Sequence, residues 1–370
     1  MNTRHTASAL ILLLASAGAA ARGPVEPPPG SISPSYKTLT DIEPRTALSD
    51  ANTPGDNDST PSLYRITQPG SYYLTGNIEV PAGKVAVEIV ADNVTLDLSG
   101  FEIIGSGPGS SAHSLIQRVN TPRNTTVRNG TIRNAGKHAM ELGTNATVEH
   151  IRVFNCGDGG IVLVGARGMI DSCHVDTVVG AGISVTSDCR VNACIVYSAT
   201  GDGIKTGTNC QITDCRVNTI GGDGIEIAYG STVTGCSVRS AAGWGITSSL
   251  NSGTAIIESN MLTLNLTGGI QVYGGSQVLG NTISMSGSSN PCILVVGDGN
   301  IVRANLASNG SDAVRIEASG QDNLVVGNFA QNSGVGTGFA NVNLAANVVG
   351  PVITTAGTIS STNPHANFSR

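Results

Sequence analysis

Charge is scarce in this sequence. Only 12% of the 370 residues are Asp, Glu, Lys or Arg, and aromatics make up 4%, with a single tryptophan. The formal net charge is −6 and no basic run occurs, which leaves nucleic acid and anionic membranes without an electrostatic foothold. After residue 21 no apolar run is long enough to cross a bilayer, and no helical periodicity of useful length appears. Neither a CxxC pair nor a Cys/His cluster at zinc spacing is present. Low charge with 48 glycines fits a disordered chain on composition alone, but a periodic set of β-branched residues argues against that.

The period is 21. Four blocks, Gly180-Ala-Gly-Ile183, Gly201-Asp-Gly-Ile204, Gly222-Asp-Gly-Ile225 and Gly243-Trp-Gly-Ile246, place an isoleucine every 21 residues. Val191, Ile212 and Val233 form a second column, and Cys173, Cys194, Cys215 and Cys236 a third. Three columns at one period mean stacked copies of one unit. Within each unit short runs such as Ile204-Lys-Thr206 alternate inward and outward side chains, as strands do. Glycine and small polar residues between them turn the chain. The first column extends back to Ile161 and Met140 and forward to Ile270, Ile293 and Val314, with offsets above 21 read as bulging loops. The cysteine column continues as Asn260, Asn281, Asn305 and Asn328.

These features predict an all-β chain: a right-handed parallel β-helix, a solenoid of about 21-residue coils whose equivalent residues lie about 4.8 Å apart. Hexapeptide and leucine-rich repeats fit worse, because 21 is not a multiple of six and valine, isoleucine and glycine replace the leucine pattern. The columns and stacked asparagines resemble the right-handed parallel β-helix repeat proteins of the pectate-lyase-like superfamily, over roughly residues 63–330. The phrase Ile66-Thr-Gln-Pro-Gly-Ser-Tyr-Tyr-Leu74 resembles the solenoid start of an exported bacterial group. The superfamily's enzymes use an exposed strand face as a polysaccharide groove, so the resemblance implies an extracellular glycan as partner.

Around the repeats, residues 1–21 read as a secretory signal: a charged start at Arg4, an apolar run Ala7 to Ala17, and small residues Ala19 to Ala21 for cleavage. The protein is therefore expected to be exported, to the periplasm, cell surface or medium. Residues 22–62, rich in proline and serine, read as a linker or N-terminal extension, 63–347 as the β-helix, and 348–370 as a capping tail. Segment 105–126 breaks the period and reads as a loop over one face. Eight cysteines in an exported chain first point to disulfides. The shared column instead favours buried thiols packing as small hydrophobes, since parallel Cβ vectors at stacking distance are marginal for a disulfide.

Polar chemistry concentrates in the middle coils. The outward position after each column isoleucine reads Glu141, Val162, Ser184, Lys205, Glu226, Thr247, Gln271, Leu294, Arg315, and the turn position two before it reads His138, Gly159, Ala181, Asp202, Asp223, Trp244. Asp202, Asp223 and Glu226 are the candidate catalytic carboxylates, and Asp202 with Asp223 a candidate calcium pair. Trp244, Tyr229 and Lys205 are candidate sugar contacts. A plainer reading competes. Asp between glycines is a good turn former, Lys205 beside Glu226 is a cross-strand pair worth a few tenths of a kcal/mol, and two stacked carboxylates about 5 Å apart repel by only about 1 kcal/mol in water. His138 reads as a surface residue. Gly201-Asp-Gly-Ile-Lys205 resembles a polygalacturonase strand, but that family's paired aspartates, Gly-His-Gly and Arg-Ile-Lys are absent. Two functions remain: binding or processing of a polysaccharide, as lyase or hydrolase if catalytic, or a non-catalytic surface scaffold or adhesin.

Overall fold

The computed structural model describes residues 44–56, 58, 61–249, 253–286, 289–333, 338–341, 346–354 and 362–369. The chain divides into two units, 1–44 and 45–370. Of the first only Pro44 is described, so the expected signal segment and the extension up to residue 43 lie outside the described residues.

The second unit is a parallel β-helix. Its strands form a 13-stranded sheet and a 26-stranded sheet, and among the described residues there is no helix. Each coil supplies one strand to the smaller sheet and two to the larger. In a typical coil these are Ile204–Thr206, Gln211–Thr213 and Arg216–Ile220. The expected register holds. Ile183, Ile204, Ile225 and Ile246 pair in one ladder and are fully buried. Val191, Ile212 and Val233 stack likewise in the larger sheet. Strands this short are held by burial of their inward residue on every coil, in one continuous apolar core.

The corner between the two strands of the larger sheet explains the mixed cysteine and asparagine column. Asn281 Oδ1 accepts the backbone N–H of Asn260 at 2.9 Å, and Asn260 Nδ2 donates to the Val233 carbonyl at 3.0 Å. Cys236 occupies the same place one coil earlier: its N–H donates to Asn260 Oδ1 at 2.8 Å and its thiol lies 3.8 Å from the Ile212 carbonyl. Cysteine thus stands in as a smaller, weaker rung. All eight cysteines are free and buried. Burial pushes the Cys156 and Cys292 thiols up to about 12, so both stay protonated at neutral pH.

The expected loop at 105–126 requires correction. Ile116–Arg118 is a strand of the smaller sheet, with Ile116 facing Val87 on one side and Met140 on the other. Ile116 is fully buried and fills the inward column; the coils on either side are simply longer than 21 residues, which hid its register. Pairing also begins within the stretch read as linker, at Thr46–Ala47 against Tyr72 and Tyr73. At the other end Asn367–Ser369 adds to Phe329 and Ala330, and Asn367 continues the asparagine ladder by accepting the Asn328 N–H at 3.0 Å.

Candidate functional site

The outward column of the smaller sheet is unbroken. It runs Glu141, Val162, Ser184, Lys205, Glu226, Thr247, Gln271, Leu294, Arg315, each paired with the next. The buried residues on either side, such as Ile204 and Thr206 around Lys205, fix these residues outward, because successive strand residues face opposite sides. On this face Lys205 Nζ donates to Glu226 Oε2 at 2.5 Å and to Asp202 Oδ2 at 3.4 Å. Hydrogen bonding to Glu226, with the charge of both carboxylates, raises the Lys205 pKa. The ammonium form is therefore held, and Lys205 is a poor proton acceptor.

Asp202 and Asp223 belong to the turn that leads into this sheet. Asp202 Oδ1 accepts the Asp223 N–H at 2.9 Å, and Asp223 Oδ1 accepts the Trp244 N–H at 2.6 Å. Each carboxylate thus serves an amide of the next coil, an obligation any buried or half-buried turn must meet. The glycine before each served residue is required by the same contact: a Cβ on Gly222 would lie 2.4 Å from Asp202 Oδ1, and one on Gly243 2.1 Å from Asp223 Oδ1. Burial raises the Asp223 pKa, against the lowering effect of the Trp244 amide. Burial likewise raises Glu226, although the bond from Lys205 opposes it.

His138 is a rung of the same turn column rather than a surface residue. Its Nδ1 accepts the Gly159 N–H at 2.9 Å, its side chain is only 13% exposed, and burial lowers its pKa. Two further charged clusters lie on this face. Arg118 and Lys137 flank Glu141 at 3.4 and 3.9 Å. Arg315 clasps Asp312 at 2.8 Å through Nε, repeating the three-residue spacing of Asp202 and Lys205. The signal for the second was present, since Asp312 and Arg315 occupy the same two columns.

The aromatic candidates part ways. Trp244 stays at the site, but its ring lies down on the next coil: a Cβ on Gly268 would fall 1.9 Å from its Cζ3. Tyr229 leaves the far end of Ile225–Ile227, half exposed, and its carbonyl accepts the Asn209 N–H. One oxygen of each of Asp202 and Asp223 accepts an amide of the next coil, Lys205 lies 3.4 Å from the other oxygen of Asp202, and among the described residues no three His, Cys, Asp or Glu side chains converge. Beside the turn lies an open groove of about 500 Å³ lined by Ile220, Gly221, Ala242, Leu264 and Leu266, with Thr219 and Ser240 hydroxyls. Gly221 and Ala242 come two residues before Asp223 and Trp244, and the missing side chain of the one and the single methyl of the other leave the groove open.

The fold is that of a right-handed parallel β-helix. Residues 91–262 match the family described as "Right handed beta helix region". The A-module of an Azotobacter vinelandii mannuronan C-5 epimerase superposes with a TM-score of 0.66 at 16% identity, over 81% of this chain and 90% of that one. The DFA-IIIase of Arthrobacter chlorophenolicus A6, without its lid and in complex with GF2, gives 0.57 at 14% identity, over 79% and 89%. The Dettilon tailspike protein gives 0.56 at 13% identity, over 85% and 72%. At these identities the likeness is one of fold. No curated protein matches the chain in sequence.

Proposed function

We propose that this is an exported protein that binds an extracellular polysaccharide along the outward face of its smaller sheet. The observation that carries the reading is the line of polar side chains along the outward column, Lys205, Glu226 and Gln271, the last accepting the buried Thr247 hydroxyl at 3.2 Å, beside Trp244 and the apolar groove. A polysaccharide needs this combination: hydrogen-bonding groups at a regular rise and an apolar surface for the C–H face of a sugar ring. Support comes from the neighbours' names, since one is an epimerase of mannuronan and another carries GF2. Lys205 with Asp202, Asp223 and Glu226 sums to two negative charges when all are ionised. An anionic uronate chain is repelled by that balance, so a neutral glycan fits better.

The test is a binding screen of the purified protein against neutral and uronic-acid glycans, with the double variant Asp202→Asn, Asp223→Asn as control. Asparagine keeps the oxygen that accepts the next coil's amide and removes the charge. Binding of a neutral glycan by the parent, lost in the double variant at unchanged thermal midpoint, supports the proposal. Equal binding by both forms removes the pair from the site. Binding to no glycan favours the alternative, a non-catalytic surface scaffold. That second reading draws on the turn hydrogen bonds of Asp202 and Asp223, which give both residues a structural reason to be there. Export is tested by fractionating cells of the native host and sequencing the N-terminus of the mature protein.

A further inference from the structure

The outer face of the larger sheet carries a pattern that the glycan-binding face does not explain. Three consecutive coils present Ile256 and Glu258, then Gln277 and Leu279, then Ile301 and Arg303, stacked in register. The two coils before them present only Gln211, Thr213, Thr232 and Thr234 at these positions. Ile256 is 37% exposed, and Glu258 and Arg303 are exposed. Among the described residues neither Glu258 nor Arg303 has an ion-pair partner. Within one copy they stand two coils, about 10 Å, apart with Leu279 between them, and they are not paired with each other.

The array is self-complementary. A two-fold axis along the strands at Gln277 and Leu279 lays one copy antiparallel on another. It sets Ile256 against Ile301, Leu279 against Leu279, and Glu258 against Arg303, the last pair made twice. An axis one coil earlier would put Glu258 on Glu258, and one coil later Arg303 on Arg303. One position alone satisfies both charge and apolar matching, as an isologous interface demands. Met261 and Leu306, 55% and 40% exposed, project from the adjoining strands of the same two coils.

We propose that the protein pairs with a second copy of itself through this face, the two solenoids running antiparallel with Glu258 of each against Arg303 of the other. The test is sedimentation equilibrium of the full chain over a range of concentrations and salt. The parent should dimerise, more weakly at high salt. Glu258→Arg and Arg303→Glu should each weaken dimerisation by at least about tenfold, because like charges then meet twice. The double swap Glu258→Arg, Arg303→Glu should restore it, a result that no general loss of stability can mimic. Leu279→Arg, which puts two like charges on the axis, should give a monomer with the parent's circular dichroism. A parent that stays monomeric overturns the proposal. So do single variants that dimerise like the parent, or a double swap no better than the singles.

Discussion

The carboxylate of Asp223 accepts the backbone N–H of Trp244, one coil further on, at 2.6 Å. The bond joins two residues that the sequence offers as parts of one sugar site, and it shows why aspartate recurs there. A parallel solenoid pairs most strand amides backbone to backbone, but the first residue of a strand, whose own carbonyl already serves the previous coil, needs another acceptor for its N–H. Trp244 is such a residue, since its carbonyl takes the Gly224 N–H at 2.8 Å.

Removing that acceptor should therefore cost stability, and changing its charge should not. Asp223→Ala leaves the Trp244 amide without its partner, and a loss of about 1–3 kcal/mol is expected in urea unfolding. Asp223→Asn preserves the accepting oxygen and should stay within about 0.5 kcal/mol of the parent. Equal losses from both would mean that charge, not the hydrogen bond, matters at this position.

Trp244 can be watched directly, because it is the only tryptophan. Gly268→Ala builds a methyl group where the indole ring lies, so the ring must lift away from the next coil. Fluorescence emission should shift to the red and acrylamide quenching should increase. An unchanged spectrum would place the ring elsewhere. In the parent, a bound glycan that stacks on the indole should alter the same emission.

The cysteine rungs offer a third test. Cys236 sits where the ladder changes from sulfur to amide, with its N–H already bonded to Asn260 Oδ1. Cys236→Asn should be tolerated, since its amide can donate to the Ile212 carbonyl and to Asn260 as Asn260 does to Val233 and Asn281. Cys236→Ala loses packing and the weak thiol bond and should cost about 1–2 kcal/mol. Thiol titration should find all eight cysteines in denaturant without reductant, and little fast reaction in the native protein, where all are buried.

The inward columns were legible because a solenoid repeats its core at a fixed interval, so Ile204 and Ile225 identify each other without any tertiary information. Ile116 was not, since its coil is longer than its neighbours and the period alone cannot carry the register across a bulge. For the site, the columns placed Lys205 beside Glu226 correctly. They did not show that Asp202 and Asp223 each spend an oxygen on the next coil, nor that Trp244 lies on Gly268 and Tyr229 leaves at the strand's other end. Those depend on side-chain rotamers, and a one-dimensional repeat fixes only which face a residue occupies. The same holds for His138: the repeat places it in its column, but not the bond that its imidazole accepts from the Gly159 N–H.

Ionisation of the candidate site should be visible in the pH dependence of stability. Burial raises Asp223 and Glu226 above their ordinary values of 3.8 and 4.5. The folded protein therefore holds these protons at pH values where the unfolded chain has released them. Their contribution is most favourable below the ordinary values and declines as pH rises through the higher folded ones. Lys205 is also raised, through its bond to Glu226, from 10.5; its contribution is present throughout the neutral range and is lost as pH climbs past 10.5 into its folded value. Urea unfolding across pH should show both limbs. The double variant Asp223→Asn, Glu226→Gln should flatten the acidic limb, and Lys205→Met the alkaline one. Lys205→Met should leave the acidic limb's sign unchanged, because burial is what raises both carboxylates, whereas the double variant should also shrink the alkaline limb, because it removes the Glu226 bond and charge that hold the Lys205 ammonium. An acidic limb that persists unaltered in the double variant would show that these carboxylates ionise as they do in the unfolded chain, and would remove the basis for assigning either of them a proton-transfer role.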